Sequence, residues 1–300
     1  MKSKNQIRTS FSRKVFLVFN TLFFLFMMFA CLYPLWYVFI QSISDGRLAH
    51  KAMLIPVGTT FNNYRNVFTQ PEIIQAFGMS VLRTVTGCVL GVFCSMLVGY
   101  LFTKETMPFR KLIYRMMVIT MYVGGGLIPT FLVYKTYGFM NSFWVYIIPG
   151  MIGSYNVILI KTYIEQLPAS LEESARIDGA GTFRVFISII LPLSLPIAAT
   201  IAIYITNGQW NSWFDNMLYN STSKKLTTHQ YLLYNYINKT EQLIAELQDN
   251  RGGMGVNVEQ LTAQGVKMTV TMVSVIPIMC VYPFMQRYLI KGIMIGAVKG

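Results

Sequence analysis

The residues best suited to chemistry in this chain lie together: Glu172, Glu173, Ser174, Ala175, Arg176, Ile177, Asp178 and Gly179, with Ile189, Leu191 and Pro192 following. The charges at Glu172, Glu173, Arg176 and Asp178 stand between two long apolar segments. A buried loop cannot carry so many charges without water or a partner protein. The chemistry on offer is therefore ionic docking. Bond-making chemistry has little support. There is no G-x-x-x-x-G-K-[ST] loop, and Gly179-Ala180-Gly181 is a lone G-x-G after a helix, a weak phosphate signal. His50 and His229 are far apart and without motif. Cys31, Cys88, Cys94 and Cys280 lie in apolar runs without CxxC spacing, so they read as small hydrophobes, neither disulfides nor metal ligands. No paired carboxylates, His cluster or nucleophile with a base falls at membrane depth.

The elements that must position the patch are membrane spans. The chain is 54% hydrophobic and 12% charged, against about 25% charged in soluble domains. A spanning helix needs about 20 mostly apolar residues. Six stretches qualify: 15–42, 77–102, 112–134, 143–164, 185–207 and 267–290. The first is too long for the apolar part of a signal peptide and reads as retained. The expected fold is an all-α integral membrane protein with one permease domain over 1–300. The net charge of +13 fits the positive-inside rule better than nucleic-acid binding. Lys2, Lys4, Arg8, Arg13 and Lys14 make a basic N-terminus over 1–14, and Lys104, Arg110 and Lys111 follow the second span. Arg287, Lys291 and Lys299 follow the sixth, whereas the loop after the third holds only Lys135. Both termini are then cytoplasmic, and so is the charged loop 165–184. Residues 46–76 and 208–266 become external loops, the second with a helix over 228–247 and a break at 250–253.

Within the charged loop, Pro168 stops the preceding helix. Ser170 can cap a new one with Glu173 three residues on, in a capping-box arrangement. Gly179 supplies a left-handed or close-approach position at its end. Pro192 and Pro196 are placed to bend the fifth span. The alternative to docking is an interfacial helix with a solvated charged face.

This pattern resembles the cytoplasmic signature of ATP-binding-cassette importer permeases: Glu-Ala-Ala, three residues, Gly, nine residues, Ile, any residue, Leu-Pro. Glu173, Ala175, Gly179, Ile189, Leu191 and Pro192 are in register, and Ser174 replaces the middle Ala. The resemblance implies a short coupling helix that docks on an ATP-hydrolysing subunit, with Glu173 as the ionic contact and Glu172, Ala175, Arg176, Asp178 and Gly179 around it. Asn62-Asn63-Tyr64, Tyr33-Pro34, Ser42-Ile43-Ser44-Asp45, Gly124–Gly126 with Pro129, and 208–214 are similar to carbohydrate permeases of the maltose type. The likeness is to the branch for complex or plant-derived oligosaccharides, and it covers nearly the whole chain. It implies a multi-pass protein of the bacterial cytoplasmic membrane, in contact with lipid. Its expected partners are a second related permease, two ATPase subunits carrying ATP and Mg, an extracytoplasmic solute-binding protein and a carbohydrate. No cofactor is expected in this chain and no nucleic acid is expected to bind.

For the substrate pathway the candidates are Arg83, Tyr122, Gly125, Asn207, Trp210, Asn211 and Trp213. Arg83 lies inside the second span, where a charge either faces a functional cavity or snorkels to the interface. A uronic or otherwise acidic sugar would suit it. Glycines 124–126 loosen the third span beside a watery route or serve close packing. Trp210, Asn211, Trp213 and Asp215 suit sugar rings and hydroxyls, although Trp is also a common interfacial anchor. Rival functions are the same importer with phosphate, iron, polyamine or peptide as cargo, and an ion-coupled secondary transporter. The second would want intramembrane acids, and the spans contain no clear Asp or Glu.

Overall fold

The computed structural model describes residues 10–45, 52–249 and 258–297. The expectations on Lys2, Lys4, Arg8, His50, Lys299 and the break at 250–253 lie outside them. All regular structure among the described residues is helical: α1 (Phe11–Ser42), α2 (Asn62–Phe68), α3 (Pro71–Leu101), α4 (Arg110–Ile119), α5 (Leu127–Thr136), α6 (Ser154–Ile164) and α7 (Ala169–Ile177). There follow α8 (Thr182–Val185), α9 (Leu191–Leu193), α10 (Leu195–Asn211), α11 (Phe214–Tyr219), α12 (His229–Asp249) and α13 (Val258–Ala297). The chain groups into two compact units.

The first unit combines residues 1–69 with 240–272. Helix α1 exposes most of its apolar length, including Phe16, Phe19, Phe26 and Phe29, as a lipid-facing helix must. Its C-terminal carbonyls need donors, and Asn63 supplies them. The Asn63 amide donates to the carbonyls of Ser42 and Ser44, each at 3.1 Å, and the Tyr64 hydroxyl lies 2.9 Å from Ser42 Oγ. The Asn62-Asn63-Tyr64 motif is thus a clamp on the end of α1.

The second unit combines 70–239 with 273–300, and α3 is its centre. Gly87, Gly91, Ser95 and Gly99 recur every fourth residue and are buried. Small residues at this spacing let helix backbones approach closely. Gln209 and Ile205 of α10 fill the space over Gly87 and Gly91, and Ile160 of α6 fills that over Gly99. Met96, Tyr100, Ile160, Val185, Phe186 and Ile201 form the core between these helices.

Three helical segments are long and apolar enough to cross a membrane: Phe11–Ser42, Pro71–Leu101 and Gln264–Pro283. A fourth span arises if Thr182–Leu193 and Leu195–Asn211, bent by 82°, count as one. Three of the six expected spans, the third, fourth and fifth, are not continuous helices. The third breaks between α4 and α5, because Gly124 and Gly125 favour no helix and Gly126 takes φ +80° at the start of α5. The fourth opens as a 3-10 turn over Phe143–Tyr146 and becomes helical only at Ser154. The 11 residues of α6 reach about 16 Å at 1.5 Å each, roughly half of a bilayer core.

The bend in the fifth segment has a cause in the signature itself. Pro192 has no N–H and its ring crowds the carbonyl four residues back. The helix widens into a π turn over Phe186–Ile190, with the Leu191 N–H bonded to the Phe186 carbonyl. Chain direction then changes at Ser194, ahead of Pro196. Ile189 and Leu191 pack on the core.

Candidate functional site

Helix α7 starts immediately after Pro168, with no side-chain cap. The expected capping box is therefore absent. Pro168 pre-sets the backbone for a helix and Ala169 is a strong helix former, so the first turn begins two residues early and Ser170 falls inside it. Its carbonyl accepts from Ser174 Oγ at 2.9 Å. At the other end the Ala180 N–H bonds to the Ala175 carbonyl at 2.9 Å and the Gly179 N–H to the Arg176 carbonyl at 3.0 Å. With Gly179 at φ +79°, this is a Schellman closure. Open space surrounds the position where a Gly179 Cβ would stand, so the backbone angle within this chain, not crowding, demands glycine. Gly179→Val is expected to cost about 1–2 kcal/mol through left-handed strain, and Gly179→Asn clearly less. Hydrogen exchange at the end of α7 would read the difference.

The two glutamates have different roles. Glu172 faces inward. Its carboxylate accepts from the Tyr100 hydroxyl at 3.2 Å, pairs with Lys104 Nζ, and meets Arg176 of its own helix at 2.8 Å. Burial alone would raise its pKa, but the hydrogen bond and charge of Lys104, with Arg176 and Tyr100, outweigh that and hold it below the usual carboxylate value. A depressed folded pKa means the contribution is present at neutral pH and is lost as pH falls through the ordinary carboxylate range and then the folded value. Faster exchange of α7 amides on acidification would be the sign of it. Glu173 points outward and is exposed, as is Asp178. One turn on from Glu173, Ile177 is 86% exposed, and Phe183 just beyond the helix is 61% exposed. Ala175 lies on the opposite side against the core. The sequence reading missed Ile177 and Phe183. Their spacing from Glu173 was visible, but only burial shows which face is left uncovered. Large apolar side chains therefore stand uncovered beside charges on this face.

The pathway candidates divide. Arg83 is 2% exposed. It donates to Asp215 at 3.2 and 2.5 Å and to Gln209 Oε1 at 3.0 Å, and lies 4.2 Å over the Tyr146 ring. Its charge is met inside the protein by Asp215 and Gln209. The sequence could not supply Asp215 as partner, since 132 residues separate the two. Trp210 is also buried, its indole donating to the Ser274 carbonyl at 3.0 Å. Asn207 and Trp210 line an open groove of about 810 Å³ with Phe77, Val85, Tyr204 and Ile278, most of whose lining is apolar. Trp213 stacks on Tyr234 at 4.2 Å. Asn211 bonds back to Asn207 at 2.8 Å and accepts from Gln230 at 3.3 Å. Tyr122 is 84% exposed, and nothing crowds Gly125. Among the described residues no group of three or more His, Cys, Asp or Glu is placed to hold a metal ion.

The family model for "binding-protein-dependent transport system inner membrane component" matches residues 87–295. Protein LplC of Bacillus subtilis (strain 168) is 34% identical over 289 residues, 96% of each chain. The polygalacturonan/rhamnogalacturonan transport system permease protein YtcP of the same organism is 34% identical over 278 residues, 91% of this chain and 95% of that one. Among solved structures, a chain of a bacterial ABC transporter involved in the import of the acidic polysaccharide alginate superposes with TM-score 0.82 and 26% identity, covering 93% of this chain and 98% of that one. The apolar helices and the family match make the chain a multi-pass protein of the cytoplasmic membrane with the fold of ABC importer permeases. It belongs to the family of inner membrane components of binding-protein-dependent transport systems.

Proposed function

We propose that this chain is one of two related membrane-spanning subunits of an ATP-driven importer of oligosaccharide, with acidic, uronic-acid-containing chains as its cargo. The observation that carries the importer reading is α7. One side is tied to α3 through Glu172, and the other presents Glu173 and Ile177 to solvent. That face suits an ATPase subunit, which would hold ATP and Mg; this chain carries no cofactor. The charged loop is then cytoplasmic, as are both termini, and a solute-binding protein delivers sugar at the opposite side, over residues 46–76 and 208–266. ATP binding closes the ATPase pair, α7 follows, and the spans alternate between inward and outward access. The printed names of YtcP and of the alginate importer support an acidic cargo. Arg83 does not, because Asp215 already neutralises it. The amides of Asn207, Asn211 and Gln230 beside the Trp213–Tyr234 stack are the better-suited surface for sugar hydroxyls and rings.

The tagged chain, purified from its native membrane, is expected to bring with it an ATPase, a second permease and a binding protein. The binding protein should take up oligogalacturonides in calorimetry and ignore neutral galactooligosaccharides. A chain that purifies alone would sink the importer reading. A binding protein that prefers neutral sugars would sink only the acidic cargo.

A further inference from the structure

The signature glutamate, Glu173, makes no hydrogen bond or ion pair among the described residues, whereas its neighbour Glu172 is the better-connected group. Apart from Arg176 of its own helix, its partners belong to the C-terminal end of α3. Tyr100, fully buried in the last turn of that helix, donates to Glu172, and Lys104 just beyond it both pairs with Glu172 and lies 4.2 Å over the Tyr100 ring. The Tyr100 ring in turn stacks on Phe186 at 5.5 Å and 26°, and Phe186 opens the π turn ahead of the 82° bend. The Glu172 carboxylate therefore ties α7 to the end of α3 by hydrogen bond and charge, and the Tyr100 ring joins that junction to the segment leading into α10. The Lys104 and Glu172 side chains are 12% and 17% exposed, so solvent screens them little.

We propose that Glu172 is the positioning residue that transmits movement of α7 to α3, with Tyr100 and Lys104 as its receivers and Phe186 as the relay to the π turn. Glu173 holds the ATPase; Glu172 makes the spans follow. The division of labour rests on the reading that α7 docks on an ATPase, and it assigns distinct failures to adjacent residues. Losing Glu173 releases the ATPase. Losing Glu172 leaves it bound and hydrolysing ATP, but disconnected from the spans. A helix tied to its neighbour by a charge-assisted bond and a buried hydroxyl moves with it as a body, because the bond keeps its strength only in a narrow range of distance and angle.

The experiment uses the co-purified complex in vesicles of phosphatidylethanolamine and phosphatidylglycerol. In this chain Cys31, Cys94 and Cys280 are replaced by alanine, leaving Cys88, which is half-buried on α3 and lines the groove. Maleimide labelling of Cys88 is compared without nucleotide and after trapping with ATP and vanadate. The wild-type arrangement is expected to show a several-fold difference between the two states. Glu172→Gln and Lys104→Met should abolish that difference while the ATPase remains bound and active, and Lys104→Arg should keep it. Coupled labelling that survives Glu172→Gln in an intact complex would overturn the proposal, as would a wild-type Cys88 indifferent to trapping. Failure of the wild-type chain to retain any ATPase would instead overturn the docking reading together with it.

Discussion

Asp215→Ala is expected to destabilise the permease by about 3 kcal/mol, the cost of leaving a buried charge without its partner. Arg83, 2% exposed, would keep its bond to Gln209 and its place over Tyr146 but lose both contacts to Asp215. The effect reaches beyond one pair. Gln209 also donates to the Tyr146 carbonyl at 2.9 Å, and the Tyr146 hydroxyl donates to the Leu226 carbonyl at 2.8 Å. The hub thus fastens α3, α10, the 3-10 turn at 143–146 and α11. Thermal unfolding of the detergent-solubilised chain should show a drop of several degrees. Replacing both members, Arg83→Met with Asp215→Leu, should recover most of it, since apolar pairs often match buried ion pairs in stability. The double variant also separates structure from transport. If Arg83 is a strut, sugar uptake survives; if Arg83 serves the cargo directly, uptake is lost in a stable protein.

The second large effect concerns the outer face of α7. Ile177→Ala should weaken retention of the ATPase by about 30-fold, corresponding to roughly 2 kcal/mol for a buried anchor at an interface. Glu173→Arg, which reverses the charge beside it, should weaken retention at least as much. Neither is expected to harm the permease alone, because Glu173 and Ile177 are exposed and α7 is closed by backbone bonds at 175–180 and held by Glu172. Pull-down of the ATPase by the tagged chain, at matched levels of folded permease, measures both. Full retention by Ile177→Ala would mean that the exposed apolar surface serves another contact.

The sequence alone determined what depends on composition and on short spacings. Apolar length marks α1, α3 and α13 because lipid demands runs of about 20 residues whatever the tertiary packing. The coupling signature was equally legible, since Gly179 closes a helix through its own backbone angle and Pro192 opens a π turn by its own missing N–H. Local chemistry also suggested where spans would weaken, at 124–126 and at Pro196, although not that α4 and α5 would separate or that α6 would be so short. Only the tertiary structure decided which charges are free. Glu172 and Glu173 are neighbours of one type, and nothing local says that Tyr100 and Lys104, about 70 residues earlier, will claim the first and leave the second exposed. The same holds for Arg83, whose meaning turns on Asp215. A charge within a span must be compensated by something, and whether a neighbour or a substrate does so is decided by how helices pack. That packing follows from the stripe Gly87, Gly91, Ser95 and Gly99, which carries its information in contacts with α6 and α10 rather than along α3 itself.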